Sequence, residues 1–348
     1  MTMELKVAGE KDTEEWDKLV ENSPHGTIFH TWKWLKIAEK HTNSKLYPLI
    51  GYRGSEAIGI YPLFLVKKKS IRLIFSPPPK TLLLYLGPAF VNFENLKQSR
   101  RESLFTEFQL SVDEFIKSDL RGNYTRIRLS PWLIDSRPLR WCDYEIEPLY
   151  TYMINLQGGV DNLWSNLNRK LRVSIEKSKR EGVSVELGDA EDLEFLRKAL
   201  YSRFEEQGLR PEKEYYKDYL SDLYNSFYPQ NMKIFIAKRN GERVGGLVVL
   251  CYKDWAALWI GIPKTGLKGI YPNDLAQWEA IRWACENGYR FYEEMDAGDD
   301  PRLRHFKAKF NPELAVWFSA VKYSSPIFKG LERTARFVYS KLGLGGLT

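Results

Sequence analysis

Two stretches of the chain repeat one another at a fixed offset of 186 residues, and this constrains the fold more than any single motif. The first runs from Ile50 through Arg53, Glu56 and Gly59 to Val66; the second runs from Ile236 through Arg239, Glu242 and Gly245 to Tyr252. Each reads as an apolar strand, a polar turn and a second apolar strand with an early glycine. The turns are Arg53-Gly54-Ser55-Glu56 and Arg239-Asn240-Gly241-Glu242. Gly and Asn accept positive φ, so both segments predict β-hairpins. A second echo sets Leu84-Tyr85-Leu86-Gly87 against Leu258-Trp259-Ile260-Gly261, and a helix and a further strand follow each. Two echoes in the same order point to a duplicated α/β unit.

A chain of 348 residues has room for two domains with their own cores. Domain 1 is expected over 1–148 and domain 2 over 149–323. The net charge of +7 suits an anionic partner: a phosphorylated cofactor, a nucleic acid or an acidic membrane surface. Cys142, Cys251 and Cys285 show no paired spacing, so neither a disulfide framework nor a zinc site is implied. The N-terminus lacks a signal-peptide pattern, and the longest apolar run, 81–90, is too short to span a bilayer. The expected location is the cytosol.

Apolar spacing predicts helices over 11–21, 31–40 and 96–118, and strands over 82–90 and 125–129. In the second half it predicts a strand at 150–156, then one strongly basic helix over 161–180 with Leu163, Leu167, Leu171 and Ile175 as its apolar stripe. Helices at 189–207 and 212–226 precede the second hairpin. A strand at 255–261, a helix at 273–287 stopped by Gly288, strands at 289–296 and 314–323, and a basic amphipathic helix at 326–342 complete the chain.

Three regions could carry chemistry. The loop Lys264-Thr265-Gly266-Leu267-Lys268-Gly269 leads from a strand, ending at Gly261, to a helix with Asn273 as its expected cap and Tyr271 just before it. Exposed N–H groups at a helix start beside lysines can cradle phosphate; the alternative is a plain surface loop. The strand ending at Asp296-Ala297-Gly298 is followed by Asp299, Asp300 and a basic run including Arg302, Arg304, Lys307 and Lys309, where ligands bind in α/β folds. Asp296 reads either as a proton acceptor or as a carboxylate fixing a 302–309 loop. The basic helix presents Arg169 and Arg172 to an anionic polymer or pyrophosphate, or simply to solvent. Triad spacing, a Walker loop and a metal-ligand cluster among the four histidines are all missing.

These residues resemble the FemABX family, whose members carry tandem domains of the acetyltransferase (GNAT) fold. The resemblance rests on several segments. Ser23-Pro24-His25-Gly26 with Trp34-Leu35-Lys36 looks like the family's early turn and helix, and Met232–Ala237 with the Asn240-Gly241 turn is similar to its second-domain hairpin. Pro272-Asn273-Asp274-Leu275 with Trp278, Ile281, Ala284 and Gly288, and then Asp296 and Gly298, continue the match. The most specific match is Phe306-Lys307-Ala308-Lys309-Phe310, similar to the family's Phe-Lys-x-x-Phe segment.

The resemblance implies an α/β (α+β) fold of tandem GNAT-like domains, each a mixed twisted sheet flanked by helices, with a C-terminal helix at 324–348 packing back on the first domain. It implies transfer of an acyl or aminoacyl group to an amine of a small molecule or of a peptide or cell-envelope precursor. The co-substrate is then acyl-CoA or aminoacyl-tRNA. Lys36 and Lys307 are expected to face an inter-domain cleft, with Lys307 or N–H groups near 260–262 meeting the oxyanion and Asp296 accepting a proton. Lys264, Lys268, Gly269, Asn273 and Gly261 are expected at the donor; Lys36, Arg169, Arg172, Tyr271 and Arg304 at substrate. Where sugar-nucleotide-binding members tend to have an arginine before a glycine, this chain reads Glu205-Glu206-Gln207-Gly208, and an acidic pair repels a diphosphate. Two readings of another class stand beside this one: a non-catalytic RNA-binding protein using helix 161–180, and a peripheral membrane contact through 326–342.

Overall fold

The computed structural model describes residues 3–206, 213–261, 267, 269–296 and 300–330. The first echo is real in three dimensions. Strand β1 (Glu4–Val7) is followed by helices α1 (Thr13–Asn22) and α2 (Trp32–His41), and it forms an antiparallel set with β2 (Lys45–Arg53) and β3 (Glu56–Lys68). β2 and β3 pair Arg53 with Glu56 and Gly51 with Gly59, with Ile58 as the extra residue of a bulge.

Next come β4 (Ile71–Ser76), β5 (Ala89–Phe90), α3 (Gln98–Phe115) ending in a π-turn (Ile116–Leu120), β6 (Tyr124–Arg128) and α4 (Arg137–Trp141). The expected strand over 82–90 is mostly irregular, although Leu83, Tyr85, Leu86 and Phe90 are buried. Leu82 and Gly87 both have positive φ and Pro88 cannot donate to a ladder, so only Ala89 and Phe90 pair with β3. Residues 131–148 carry α4 and the start of the next strand.

That strand is β7 (Glu145–Asn155), longer than expected. The predicted single helix over 161–180 is two helices, α5 (Gly159–Asn166) and α6 (Arg169–Arg180). Leu167 is extended between them, and the Asn168 side chain accepts from the Lys170 N–H at 2.9 Å as a new N-cap. The apolar stripe survives the break, because Leu163, Leu167, Leu171 and Ile175 are all buried in the second core.

After β8 (Val183–Leu187), α7 (Ala190–Glu206) and α8 (Lys213–Phe227), the second hairpin is β9 (Met232–Arg239) and β10 (Glu242–Tyr252). It pairs Arg239 with Glu242 and Ala237 with Gly245, and Val244 is its bulge residue. Every one of these positions lies 186 residues after its counterpart in β2 and β3. The chain continues through β11 (Trp255–Gly261), α9 (Pro272–Glu286), β12 (Phe291–Asp296), α10 (Pro301–Ala308) and β13 (Glu313–Tyr323). α10 replaces the expected 302–309 loop. Asp300 caps it, accepting from the Arg302 N–H at 2.8 Å.

Packing divides the chain into Met1–Leu149 with Val316–Thr348, and Tyr150–Ala315. In the first unit the strands run β1-β2-β3-β4-β6 and on to β13, with β4 and β6 parallel and the rest antiparallel. The strand expected at 314–323 in the second domain thus pairs here, through Ser319–Tyr323 with Tyr124–Arg128. Phe90, Phe105, Phe108, Tyr61 and Ile127 centre the first core. Residues 326–330 are helical, with Lys329 ion-paired to Glu145; the remainder of the expected 326–342 helix lies outside the described residues.

In the second unit the order is β7-β12-β11-β10-β9-β8, with β11 and β12 parallel. Tyr292, Ile281, Ala280 and Val249 lie at its core. Among the described residues, no helix is long and apolar enough to cross a membrane.

Candidate active site

The second unit's sheet opens at one end. The parallel strands β11 and β12 pair at Trp255–Phe291, Ala256–Tyr292 and Ala257–Glu293, and among the described residues their pairing stops there. Beyond that point Leu258–Gly261 stay with β10, while β12 bulges: Glu293 opposes Met153 and Asp296 opposes Thr151, which leaves one extra residue on β12. Met295 absorbs the bulge at φ 54°. Diverging carboxyl ends of parallel strands leave backbone groups free to meet a ligand.

α9 begins beside this opening. Pro272 occupies its first turn, so the cap position falls on Tyr271, and Asn273 is already inside the helix. The expected cap role of Asn273 is therefore corrected. Its Oδ1 instead accepts from the Gly246 N–H at 3.3 Å, tying α9 to the bulged part of β10. Gly245 makes this approach feasible, since a Cβ there would lie 2.6 Å from the same oxygen.

α6 runs along the α9 start. Ser178 Oγ accepts from the Tyr271 N–H at 3.1 Å, and Ser174 Oγ donates to Asp274 Oδ2 at 2.6 Å. Lys177 Nζ stands 3.2 Å from where a Cβ on Gly269 would be, and Gly269 itself takes φ 71°. Asp274, only 4% exposed, also accepts from Lys309 Nζ at 2.8 Å. The acid at the helix start is thereby neutralised, and the amide dipole at that end is not cancelled by a bare carboxylate.

Lys307 projects from α10 into the strand end. Its Nζ donates to the Met295 carbonyl at 3.0 Å and the Asp296 carbonyl at 2.6 Å, and the residue is 6% exposed. The ammonium thus holds the bulge in shape. The Asp296 side chain stands at the exposed edge of the strand.

Of the residues singled out from sequence, Gly269, Tyr271 and Asn273 gather at the α9 start, Gly261 ends β11, and Lys307 and Asp296 meet at the end of β12. Arg304 is exposed on α10, Arg169 is exposed and Arg172 half-buried in the first turn of α6. Lys36 lies in the first unit, bonded to Glu39 at 2.6 Å and near Glu10 at 3.4 Å; the Glu39 carboxylate raises its ammonium above the usual lysine range. Lys264 and Lys268, like Gly298 and Gly208, lie outside the described residues.

Sequence reasoning missed two buried acids. Glu293 accepts from Thr151 Oγ1 at 2.8 Å and from Trp255 Nε1 at 3.0 Å. On the opposite face, Glu294 accepts from Gln277 Nε2 at 2.9 Å, and burial pushes its carboxyl up to about 7 against the pull of Lys307. The signal was the pair itself. Adjacent residues of a strand face opposite ways, so two glutamates in an apolar strand put a carboxyl on both faces.

Residues 165–307 match the family described as Acetyltransferase (GNAT) domain. Among solved structures, FemX is similar over 90% of this chain and 96% of its own, with TM-score 0.68 and 13% identity. The C-terminal domain of a putative lysylphosphatidylglycerol synthetase from Agrobacterium fabrum is similar at TM-score 0.57 and 12% identity, over 94% of this chain and 96% of that one. A tandem GNAT protein from the clavulanic acid biosynthesis pathway follows at TM-score 0.55 and 10% identity, over 93% and 99%. Among curated proteins none matches the sequence. The fold is that of tandem GNAT proteins, and the family match over 165–307 supports acyl transfer in general.

Proposed function

We propose that this FemABX-like protein of GNAT fold is an N-acyltransferase that moves an acyl group from acyl-CoA to an amine of a small molecule or peptide. The observation that carries the reading is the divergence of β11 and β12 beside the start of α9, with Lys177 and Gly269 at that helix start. A phosphorylated donor suits such a place. Backbone N–H groups at a helix start are unpaired within the helix and favour negative charge. The donor carbonyl then lies over the strand ends, where N–H groups around Ile260 and Gly261 meet the developing oxyanion; one such donor contributes about 3–4 kcal/mol to the transition state.

Lys307 acts in this reading by holding Met295 and Asp296, so that the strand end keeps its opened form. Holding donor carbonyl and acceptor amine together removes much of the entropic barrier, up to about 7–11 kcal/mol. Gly261, Lys264, Lys268, Gly269 and Asn273 are assigned to the donor, and Arg169, Arg172, Tyr271, Arg304 and Lys36 to substrate.

A second donor, aminoacyl-tRNA, is favoured by the basic, exposed side of α6, with Arg169, Lys170, Lys177, Lys179 and Arg180 on one short helix. A thermal-shift comparison of acetyl-CoA, longer acyl-CoAs and charged tRNA, followed by an assay for free thiol with an amine panel, decides between them. Stabilisation and thiol release with acyl-CoA support the reading; stabilisation by tRNA alone moves it to the second donor. Salt-sensitive RNA binding without any transfer ends it.

A further inference from the structure

Two cavities in the first unit play no part in the transfer reading, and their charges differ. One, of about 630 Å³, has His25, Trp132, Arg101 and Arg137 in its lining. Its arginines are already spent: Arg101 pairs with Glu94 at 3.3 Å, and Arg137 with Glu102 at 2.7 Å and Asp135 at 2.8 Å. The other, of about 540 Å³, lies where α3 runs into its π-turn, beside the start of β6 and the end of β13. Every residue lining it belongs to the first unit. A hollow of this size, walled by apolar groups with a few charges, is the ordinary form of a small-molecule site.

The floor of this second cavity is polar but closed. Asp113 accepts from Gln109 Nε2 at 2.8 Å, from Tyr144 Oη at 2.7 Å and from Lys322 Nζ at 2.7 Å. Lys322 also donates to the Cys142 carbonyl at 2.8 Å, and its ammonium stands over the Tyr144 ring. Burial holds Tyr144 well above the usual phenol range, so its hydroxyl stays a donor. Acid and base cancel there. The rim is different. Lys117 and Arg121 are exposed, four residues apart, and among the described residues no acid pairs with either. Two cations against the one rim acid, Glu114, leave a surplus positive charge. The segment presenting them is fixed, because the Arg121 and Gly122 N–H groups both donate to the Ile116 carbonyl. A Cβ on Gly122 would lie 2.8 Å from Ile116 Cγ2, so the chain after Arg121 packs tightly on the cavity wall. Turns of this kind at a helix occur often at functional sites.

We propose that this cavity binds a small amphiphilic anion, its carboxylate or phosphate head between Lys117 and Arg121 and its apolar body against Leu110, Ile116, Tyr144 and Tyr323. The guanidinium fork matches either head through paired hydrogen bonds, and the lysine adds a point charge. Leu110 is 54% exposed, an apolar side chain that such a body would cover. Ile116 and Tyr144 are buried and Tyr323 is half-buried, so the inner wall is apolar around the Asp113–Lys322 pair. A cationic amphiphile is disfavoured, since Asp113 is already neutralised. None of the residues assigned to donor or substrate lines this cavity.

Isothermal titration of the whole protein with octanoate, phenyl phosphate, inorganic phosphate and octylamine tests the proposal. Octanoate or phenyl phosphate should bind, and the tighter of the two identifies the head. Inorganic phosphate and octylamine should each bind about 10-fold more weakly or worse, because one lacks the body and the other the negative charge. Lys117→Gln and Arg121→Gln alter exposed side chains and should each weaken the better probe by about 10-fold. Leu110→Asp, also at an exposed position, should weaken octanoate by placing an acid beside its body. Failure of both amphiphiles to bind at millimolar concentration overturns the proposal. Inorganic phosphate binding as tightly as phenyl phosphate, or unchanged affinities in all three variants, overturns it equally. Stabilisation of the same variants by acyl-CoA should match wild type, so loss of this site and loss of the acyltransferase reading are separate results.

Discussion

Gly59 and Gly245 occupy the same place in the repeat, and what each admits differs. At Gly59 a Cβ would lie 2.7 Å from the Ala89 carbonyl oxygen, because the main chain at Ala89–Phe90 docks against β3 there. At Gly245 it would lie 2.6 Å from Asn273 Oδ1, because the start of α9 docks there. The parallel seams tell the same story. In the first unit β4 and β6 pair from Leu73–Tyr124 to Ser76–Ile127, and Leu86 then bridges to Leu129, carrying the seam on. Gly87 N–H donates to Ser76 Oγ at 3.0 Å and holds that segment in place. Among the described residues of the second unit, the matching seam stops at Ala257 and Glu293. One copy has filled the end of its sheet with its own chain. Among the described residues the other is open beside a helix start, which is where a ligand can lie.

The most direct way to break this comparison is Lys307→Ala. Without the ammonium the carbonyls of Met295 and Asp296 lose their donor, and transfer should fall by the equivalent of about 3–4 kcal/mol in the barrier, read as thiol release at saturating donor. An unchanged rate with intact circular dichroism means the opened strand end does not depend on this lysine.

Next in size is the stability of Glu294→Gln. Its carboxyl sits near 7 folded against 4.5 as a free side chain, so between those values the folded state binds the extra proton. Stability of the wild type therefore declines as pH rises from about 4.5 through 7, by about 3.4 kcal/mol at most. Glu294→Gln should show none of this decline and be the more stable protein at pH 8 in urea titrations. Parallel curves for the two proteins between pH 5 and 8 contradict it.

Gly59→Ala should cost about 2–3 kcal/mol, since backbone at Ala89 cannot step aside cheaply. Gly245→Ala should cost only about 1 kcal/mol, because the Asn273 amide can swing away, but it should weaken donor-induced thermal stabilisation. Equal costs at the two glycines dissolve the distinction between a filled and an open end. The smallest effect is Asn168→Ala, about 1 kcal/mol for one helix cap, with α5 and α6 kept. Urea midpoints measure all three.

Much of the fold was legible because its signals are local. The Asn240-Gly241 turn, the glycine at 288 and the stripe through Leu163 and Ile175 each report on a few neighbouring residues. The second echo misled for the same reason. Leu84–Gly87 has the composition of a strand, yet the counterpart of β11 by pairing is β4, at 71–76, and 84–87 is the plug that follows it. Pairing between distant strands leaves no trace in composition. The candidate site was half legible. Gly269, Tyr271, Asn273 and Lys307 stand where a helix start and a strand end meet, as the motifs suggested. The work of Lys307 on main-chain carbonyls depends on a bulge that no spacing announces, and the burial of Glu294 on a contact with Gln277 of a distant helix.

One short helix carries a mechanical consequence. Lys307 grips the end of β12, and Lys309, two residues on, grips Asp274 at the start of α9, while the Lys309 carbonyl takes the Asn168 N–H at 3.1 Å at the head of α6. α10 and the residue after it therefore work as a latch with three catches. A one-residue insertion between the lysines, which rotates the second by about 100° around the helix axis, releases α9 and α6 while leaving β12 held. The donor side of the opening would then drift free of its acceptor side, in a protein whose two cores remain intact.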